Sequence, residues 1–174
     1  MTKREALRDL QNRLAGRLQA ARSDPASAAW LGVLVGRAHY LLPLTQAGEI
    51  FPMTSVTHVP YAVPWFAGVV NLRGGLYGVV DLADFLGVGV VRTEQSWTDV
   101  RLITFNTELE INCALMVDGL VGLRRTEAFV KVTPAVSGSP VWLGMRHEDA
   151  QGLVWQELDL RALSQTVDFL NIGN

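Results

Sequence analysis

Few side chains in this chain could do covalent or metal chemistry. There is one cysteine, Cys113, and there are three histidines, His39, His58 and His147. A nucleophilic thiol needs a base beside it, and a zinc site needs ligands at short, recurring spacings. No histidine stands at such a spacing from another or from Cys113. Cys113 alternates with Ile111, Leu115 and Val117 on one face of an expected strand, so it reads as a small core side chain. His147-Glu148-Asp149 is a polar cluster that could hold a weak metal, but a solvated turn between strands suits it better. Asp81 and Asp118 sit at strand ends, beside a helix start and beside Gly119. Capping and turn formation account for both, and they lie too far apart in sequence to argue a carboxylate pair. No G-x-S-x-G elbow, H-E-x-x-H helix or phosphate loop occurs, and Gly74-Gly75 lacks the Lys-Ser/Thr that a phosphate loop needs. The expectation is a binding protein without catalysis, cofactor or metal.

Arg73 is the charge in the most informative place. An apolar run, Trp65 to Val70, is broken by Asn71-Leu72-Arg73-Gly74-Gly75, and a second run, Leu76 to Val80, follows. Two such runs around a Gly-containing break predict a β-hairpin, with the paired glycines in the turn. A guanidinium just before the turn never loses its proton, so it stays near water or a carboxylate. An ordinary solvated turn charge satisfies that equally well.

The elements around this hairpin are read from periodicity. Leu7, Leu10, Leu14, Leu18 and Ala21 form one stripe and predict an amphipathic helix over Thr2 to Ser23, ended by Asp24-Pro25. Its basic edges suit packing on its own domain or on a partner. Strands are expected over Trp30 to Val35 and Ala38 to Leu44, joined at Gly36-Arg37. Gln46 to Phe51 reads as a connection and Val56 to Val59 as a short strand. After the hairpin, a short helix follows Asp81-Leu82, and Val90 to Asp99 reads as polar and loose. Further strands are expected over Val100 to Phe105, Leu109 to Val117 and Leu120 to Arg124. Val130 to Gly138 reads as a loop containing proline. Val141 to Met145 and Leu153 to Leu158 form the last pair, joined by Arg146 to Gly152. Asp159 caps a final helix whose Leu160, Leu163, Val167 and Leu170 face inward, and Asn171 to Asn174 is a tail. Short strands at close intervals suggest small barrels or a sandwich, not a doubly wound nucleotide-binding fold.

Composition narrows the function further. The chain has 174 residues, 49% of them apolar and 18% charged, with a net charge of −2. That is enough for a core of its own and too apolar for disorder. No basic field attracts nucleic acid, and no aromatic-basic interleaving supports it. A single cysteine forbids an internal disulfide and fits a reducing compartment. Met1 to Asp24 lacks the apolar core of a signal peptide, and no apolar run reaches membrane-spanning length. The expectation is a cytoplasmic protein without direct membrane insertion.

The hairpin also carries a resemblance. Gly68, Val69, Asn71, Leu72, Arg73 and Gly74, then Val79, Val80, Asp81 and Leu82, are similar to the signature of the CheW family, "G-V-x-N-L-R-G" followed by "P-V-V-D-L". The chain departs at Tyr77-Gly78, where an aliphatic residue and proline are usual, and at Gly75, where a basic residue is common. Gly48-Glu49-Ile50 resembles the segment before the hairpin, and Trp155 to Leu163 the closing strand and helix. The likeness covers roughly 30–170, read as one CheW-like domain of two intertwined lobes, with 1–24 as a helical extension.

The resemblance implies a mainly all-β fold of two five-stranded SH3-like barrels packed together, with the N-terminal amphipathic helix and a C-terminal helix added. It implies a scaffold coupling a chemoreceptor's cytoplasmic tip to the regulatory domain of a CheA-like histidine kinase, within receptor arrays at the membrane. The receptor contact implied on matched positions is Ala47, Glu49, Ile50, Asn71 and Arg73, in a groove between the barrels. The kinase contact is a barrel edge with no residues assigned. The added helix, Trp30 at the first strand, the length and the divergence look most like the branch serving type IV pilus twitching motility. A ligand-sensing small-molecule-binding barrel and a free-standing kinase regulatory domain are the other binding readings, and an enzyme using Cys113 or His147 is the chemical one.

Overall fold

The computed structural model describes residue 9, residues 12–17 and residues 29–173. Residues 12–17 are helical; the rest of the expected N-terminal helix, Asp9 apart, and its stop at Asp24-Pro25 lie outside the described residues. In chain order the strands are β1 (Trp30–Val35), β2 (Ala38–Pro43), β3 (Ala47–Pro52), β4 (Phe66–Leu72), β5 (Gly75–Asp81), β6 (Arg101–Phe105), β7 (Cys113–Val117), β8 (Gly119–Arg124), β9 (Phe129–Thr133), β10 (Leu143–Asp149) and β11 (Val154–Leu158). Besides helical residues 12–17, two short helices lie between strands, α1 (Leu82–Phe85) and α2 (Glu94–Trp97), and two follow β11, α3 (Leu160–Leu163) and α4 (Val167–Leu170).

Two sheets result, ordered β8-β1-β2-β11-β10-β9 and β3-β6-β7-β5-β4. The chain opens the first sheet, builds all of the second, then returns to finish the first. Parallel pairs β2–β11 and β5–β7 mark the crossovers, while every other pair is antiparallel. Six and five strands replace the expected five and five. The added strand is β9, whose Lys131 and Thr133 disguise it as part of a loop.

Both sheets curl on themselves. In the second, the chain runs on from edge strand β3 and Thr57 pairs with Val69 on the opposite edge, through hydrogen bonds of 2.8 and 2.9 Å. Gly68 makes this closure possible. Its φ is +139°, and a Cβ there would lie 2.1 Å from the Thr57 carbonyl oxygen. The expected strand over Val56 to Val59 is this single bridge. In the first sheet, three strands separate β1 from β9, yet the rings of Trp30 and Phe129 are 5.8 Å apart. Trp155 and His147 fill the space they enclose.

Between the barrels lies a shared core. Leu31, Val33 and Val35 of β1 meet Val80, Ile103 and Leu115 of the second sheet, together with Leu160 and Leu163 of α3. Burying each such side chain contributes about 1.5–3 kcal/mol. Phe169 on α4 completes this core, packing against Trp65, Phe85 and Phe105 at centroid distances of 5.5–6.1 Å. The expected single C-terminal helix is two turns, because the chain breaks at 164–166 and resets the helical phase. Val167 and Leu170 therefore point outward, and Phe169 takes the inward place. The expected tail is pinned: Val63 donates to the Ile172 carbonyl at 2.9 Å. Gln46 ties the same region down, accepting from Leu160 N at 2.7 Å and donating to Asp159 at 3.1 Å.

The segment read as loose, Val90 to Asp99, holds the main polar lock of the fold. Thr93 and Ser96 form a reciprocal capping box that starts α2. Arg92, just before it, reaches inward. Its Nη1 and Nη2 bind both oxygens of Asp81, at 2.5 and 2.9 Å, and its Nε binds Asp118 at 2.6 Å. All three side chains are largely buried. Asp81 also caps α1 through Ala83 N and Asp84 N, and Asp118 accepts from Gly36 N in the β1–β2 turn. The two aspartates that looked unrelated in sequence thus share one guanidinium. Hydrogen bonds to Asp81, then to Asp118, push the Arg92 pKa above its already high value. Nearby, burial and the Asp81 charge raise the Asp84 carboxyl.

Replacing one member of a buried ion network leaves its partners charged and desolvated. Arg92→Met is expected to cost about 3–5 kcal/mol of folding stability, read from urea unfolding. A loss below about 1 kcal/mol would show that the lock contributes nothing net.

Candidate interaction groove between the barrels

The β4–β5 hairpin turns at Arg73-Gly74, one residue earlier than the paired glycines suggest. Leu72 pairs with Gly75, which belongs to β5. Arg73 has φ +49° and Gly74 φ +84°. Positive φ at both central residues is the two-residue turn whose twist matches a hairpin. A non-glycine residue there costs about 1–2 kcal/mol. Asn71 supports the turn by accepting from Gly74 N at 3.0 Å.

This geometry holds the guanidinium at the surface. Arg73 Nη1 lies 2.7 Å from Glu49 Oε2, and both side chains are more than half exposed, at 74% and 55%. The guanidinium also sits 5.6 Å above the Phe51 ring. An exposed pair of this kind adds roughly 0–1 kcal/mol, so Arg73 is oriented without being locked away.

Glu49 comes from β3, the segment read as a connection. Thr104 on β6, itself buried, accepts from Glu49 N at 2.8 Å and holds this irregular stretch of strand in register. Glu49, Ile50 and Arg73 then line one wall of a groove of about 900 Å³. Leu34 of β1 and Leu120 of β8 line the other, so both barrels contribute. Among the expected contact residues, Asn71 is exposed at the hairpin end. Ala47 corrects the expectation: it is fully buried, packed in the shared core, and offers no surface to a partner. Sequence reasoning missed Thr104, Arg101 and Tyr77 at this groove.

The candidates for chemistry lie elsewhere. His147 is not in a solvated turn; it is buried on β10, because the strand runs on to Asp149. Its ring packs against Trp30 and Phe129 at 4.8 and 5.0 Å, and its Nε2 donates to Glu157 at 3.0 Å. Its Nδ1 has no hydrogen-bond partner among the described residues. Asp149 closes the β10–β11 turn, and hydrogen bonds from Trp155 Nε1 and then from Leu153 N and Gln151 N lower its pKa. No group of three His, Cys, Asp or Glu side chains among the described residues could hold a metal ion.

Cys113 sits in the core at the start of β7, 5% exposed, and burial pushes its thiol up to about 12. The thiolate is the reactive form. Alkylation of the native protein at neutral pH is expected to run at least about tenfold slower than after unfolding. Equal rates in the two states, followed by mass spectrometry, would contradict this burial.

Comparison with known proteins accords with the architecture. The family model for a CheW-like domain matches residues 29–167. The chain is similar to protein PilI of Pseudomonas aeruginosa, 26% identical over 165 residues, covering 92% of this chain and 89% of that protein. The fold of this chain resembles the crystal structure of scaffolding protein TtCheW from Thermoanaerobacter tengcongensis, with a TM-score of 0.62 at 18% identity, over 75% of this chain and 88% of that one. The chain belongs to the CheW-like domain family, the scaffold family of chemosensory signalling.

Proposed function

We propose that this protein is a non-enzymatic adaptor that couples the cytoplasmic tip of a chemoreceptor to a CheA-like histidine kinase. The observation that carries the reading is the inter-barrel groove, where Glu49, Ile50 and Arg73 converge with the guanidinium open to solvent. A helical receptor tip laid there would meet apolar walls and one prepositioned ion pair, which together set register. Asn71 stands at the hairpin end beside it. Similarity to PilI supports a pathway governing type IV pili and twitching motility. Such an adaptor works in the cytoplasm, recruited to its membrane receptors; among the described residues no helix is long and apolar enough to cross a membrane.

The kinase regulatory domain would use another face. Edge strand β9 leaves Val130 and Val132 exposed, at 69% and 47%. A partner barrel can extend such an edge or pack against it. A groove of about 900 Å³ also falls within the range of small-molecule pockets, which makes ligand sensing the second reading. A ligand-induced rise in melting temperature would favour it.

Arg73 separates fold from function. Arg73→Gly removes the guanidinium and the left-handed strain together, so it is expected to raise stability by about 1 kcal/mol. Arg73→Ala keeps the fold. Both are expected to weaken binding to a receptor-tip fragment by about 2–5 kcal/mol, if the complex buries the ion pair. Unchanged binding by either folded variant in a pull-down refutes the receptor contact. Reconstitution with receptor and kinase tests the adaptor role as a whole: kinase activity is expected to depend on receptor only when this protein is present.

A further inference from the structure

The groove that would receive a partner already touches part of this chain. Leu14 and Ala15, within the helical residues 12–17, line the same cavity as Glu49, Ile50 and Arg73. Leu14 is half-buried there, while the other described residues of the helix are exposed. On the outer side, Arg13 Nη2 pairs with Asp9 Oδ2 at 2.7 Å, one helical turn apart and open to solvent. The helix is therefore oriented, with a leucine toward the groove and charges toward water. In the sequence, Leu14 belongs to a stripe with Leu7, Leu10 and Leu18. Spacings of three and four place these residues on one face.

We propose that the N-terminal helix is an intramolecular occupant of the inter-barrel groove, and that a receptor helix reaching for Glu49 and Arg73 must displace it. The second half rests on the receptor-binding reading above; the first half does not. Leu14 faces a cavity whose lining includes side chains of its own kind, Leu34, Ile50 and Leu120. Tethering holds the helix at the groove at high effective concentration. Among the described residues of the helix only Leu14 is half-buried, so the hold these residues supply is small. The adaptor then has a closed and an open state, and affinity for the partner falls by the fraction of molecules that are open.

The test uses the full chain. Spin labels are placed at Ala15→Cys and Thr107→Cys, two exposed positions on the groove, while buried Cys113 stays unlabelled. Double electron–electron resonance is expected to give one narrow distance distribution. Leu14→Glu in the same background is expected to broaden it toward long distances, and Arg13→Ala, altering only the outer side, to leave it unchanged. A distribution that stays narrow in Leu14→Glu overturns the occupancy. In a second arm, affinity for a receptor-tip fragment is expected to rise about tenfold in Leu14→Glu. Equal affinity in the presence of a released helix overturns the competition. If the fragment binds neither form while the distances respond as expected, the receptor reading fails and the occupancy stands.

Discussion

One guanidinium ties both barrels together. Arg92 belongs to the stretch between the hairpin barrel's α1 and β6, yet it binds the carboxylate at the end of β5 and the one at the β7–β8 junction. Through Asp118 it reaches the β1–β2 turn of the other barrel. Two carboxylates around one cation leave a surplus negative charge in a partly desolvated place. That surplus is offset by backbone donors at Gly36, Ala83 and Asp84. Each acid is thus satisfied twice, by the cation and by a helix or turn N–H. The face of Arg92 also stacks over Trp97 at 5.3 Å, so α2 covers the lock from outside.

The groove inherits its shape from this lock. Asp118 lines the groove and anchors the start of β8, whose Leu120 forms part of one wall. The opposite wall is set by β3 and the β4–β5 hairpin. A rigid floor between walls from two barrels allows an exposed ion pair, Glu49 with Arg73, to be presented in one orientation despite its small intrinsic strength. The polar contact gains its value from the scaffold that positions it.

Much of this was legible in the sequence, and the rest was hidden for identifiable reasons. Alternation and turn residues were enough to locate β1, β2, β6 and the β4–β5 hairpin, as well as the Asp159 cap and the core place of Cys113. Arg92 escaped because its partners lie 11 and 26 residues away and its neighbours are polar. β3 escaped because Glu49 interrupts its apolar pattern, and β9 because edge strands carry polar residues on purpose. His147 was misplaced because a polar triplet reads as a turn even where one member of it turns inward among aromatic rings. Ala47 matched a family motif by position, but burial depends on the register of β3 against β6, which a motif does not carry.

The order of strands along the chain bears on how the molecule comes into being. β3 to β7 are contiguous, so the hairpin barrel contains only strands made in succession. The other barrel pairs β2 with β11, residues such as His39 with Trp155. During synthesis from the N-terminus, one lobe can therefore assemble on the ribosome while the first two strands wait for the last four. Closing so long a loop late makes that lobe the slow step, and it leaves the apolar face of β1 reliant on the finished lobe for shelter in the meantime.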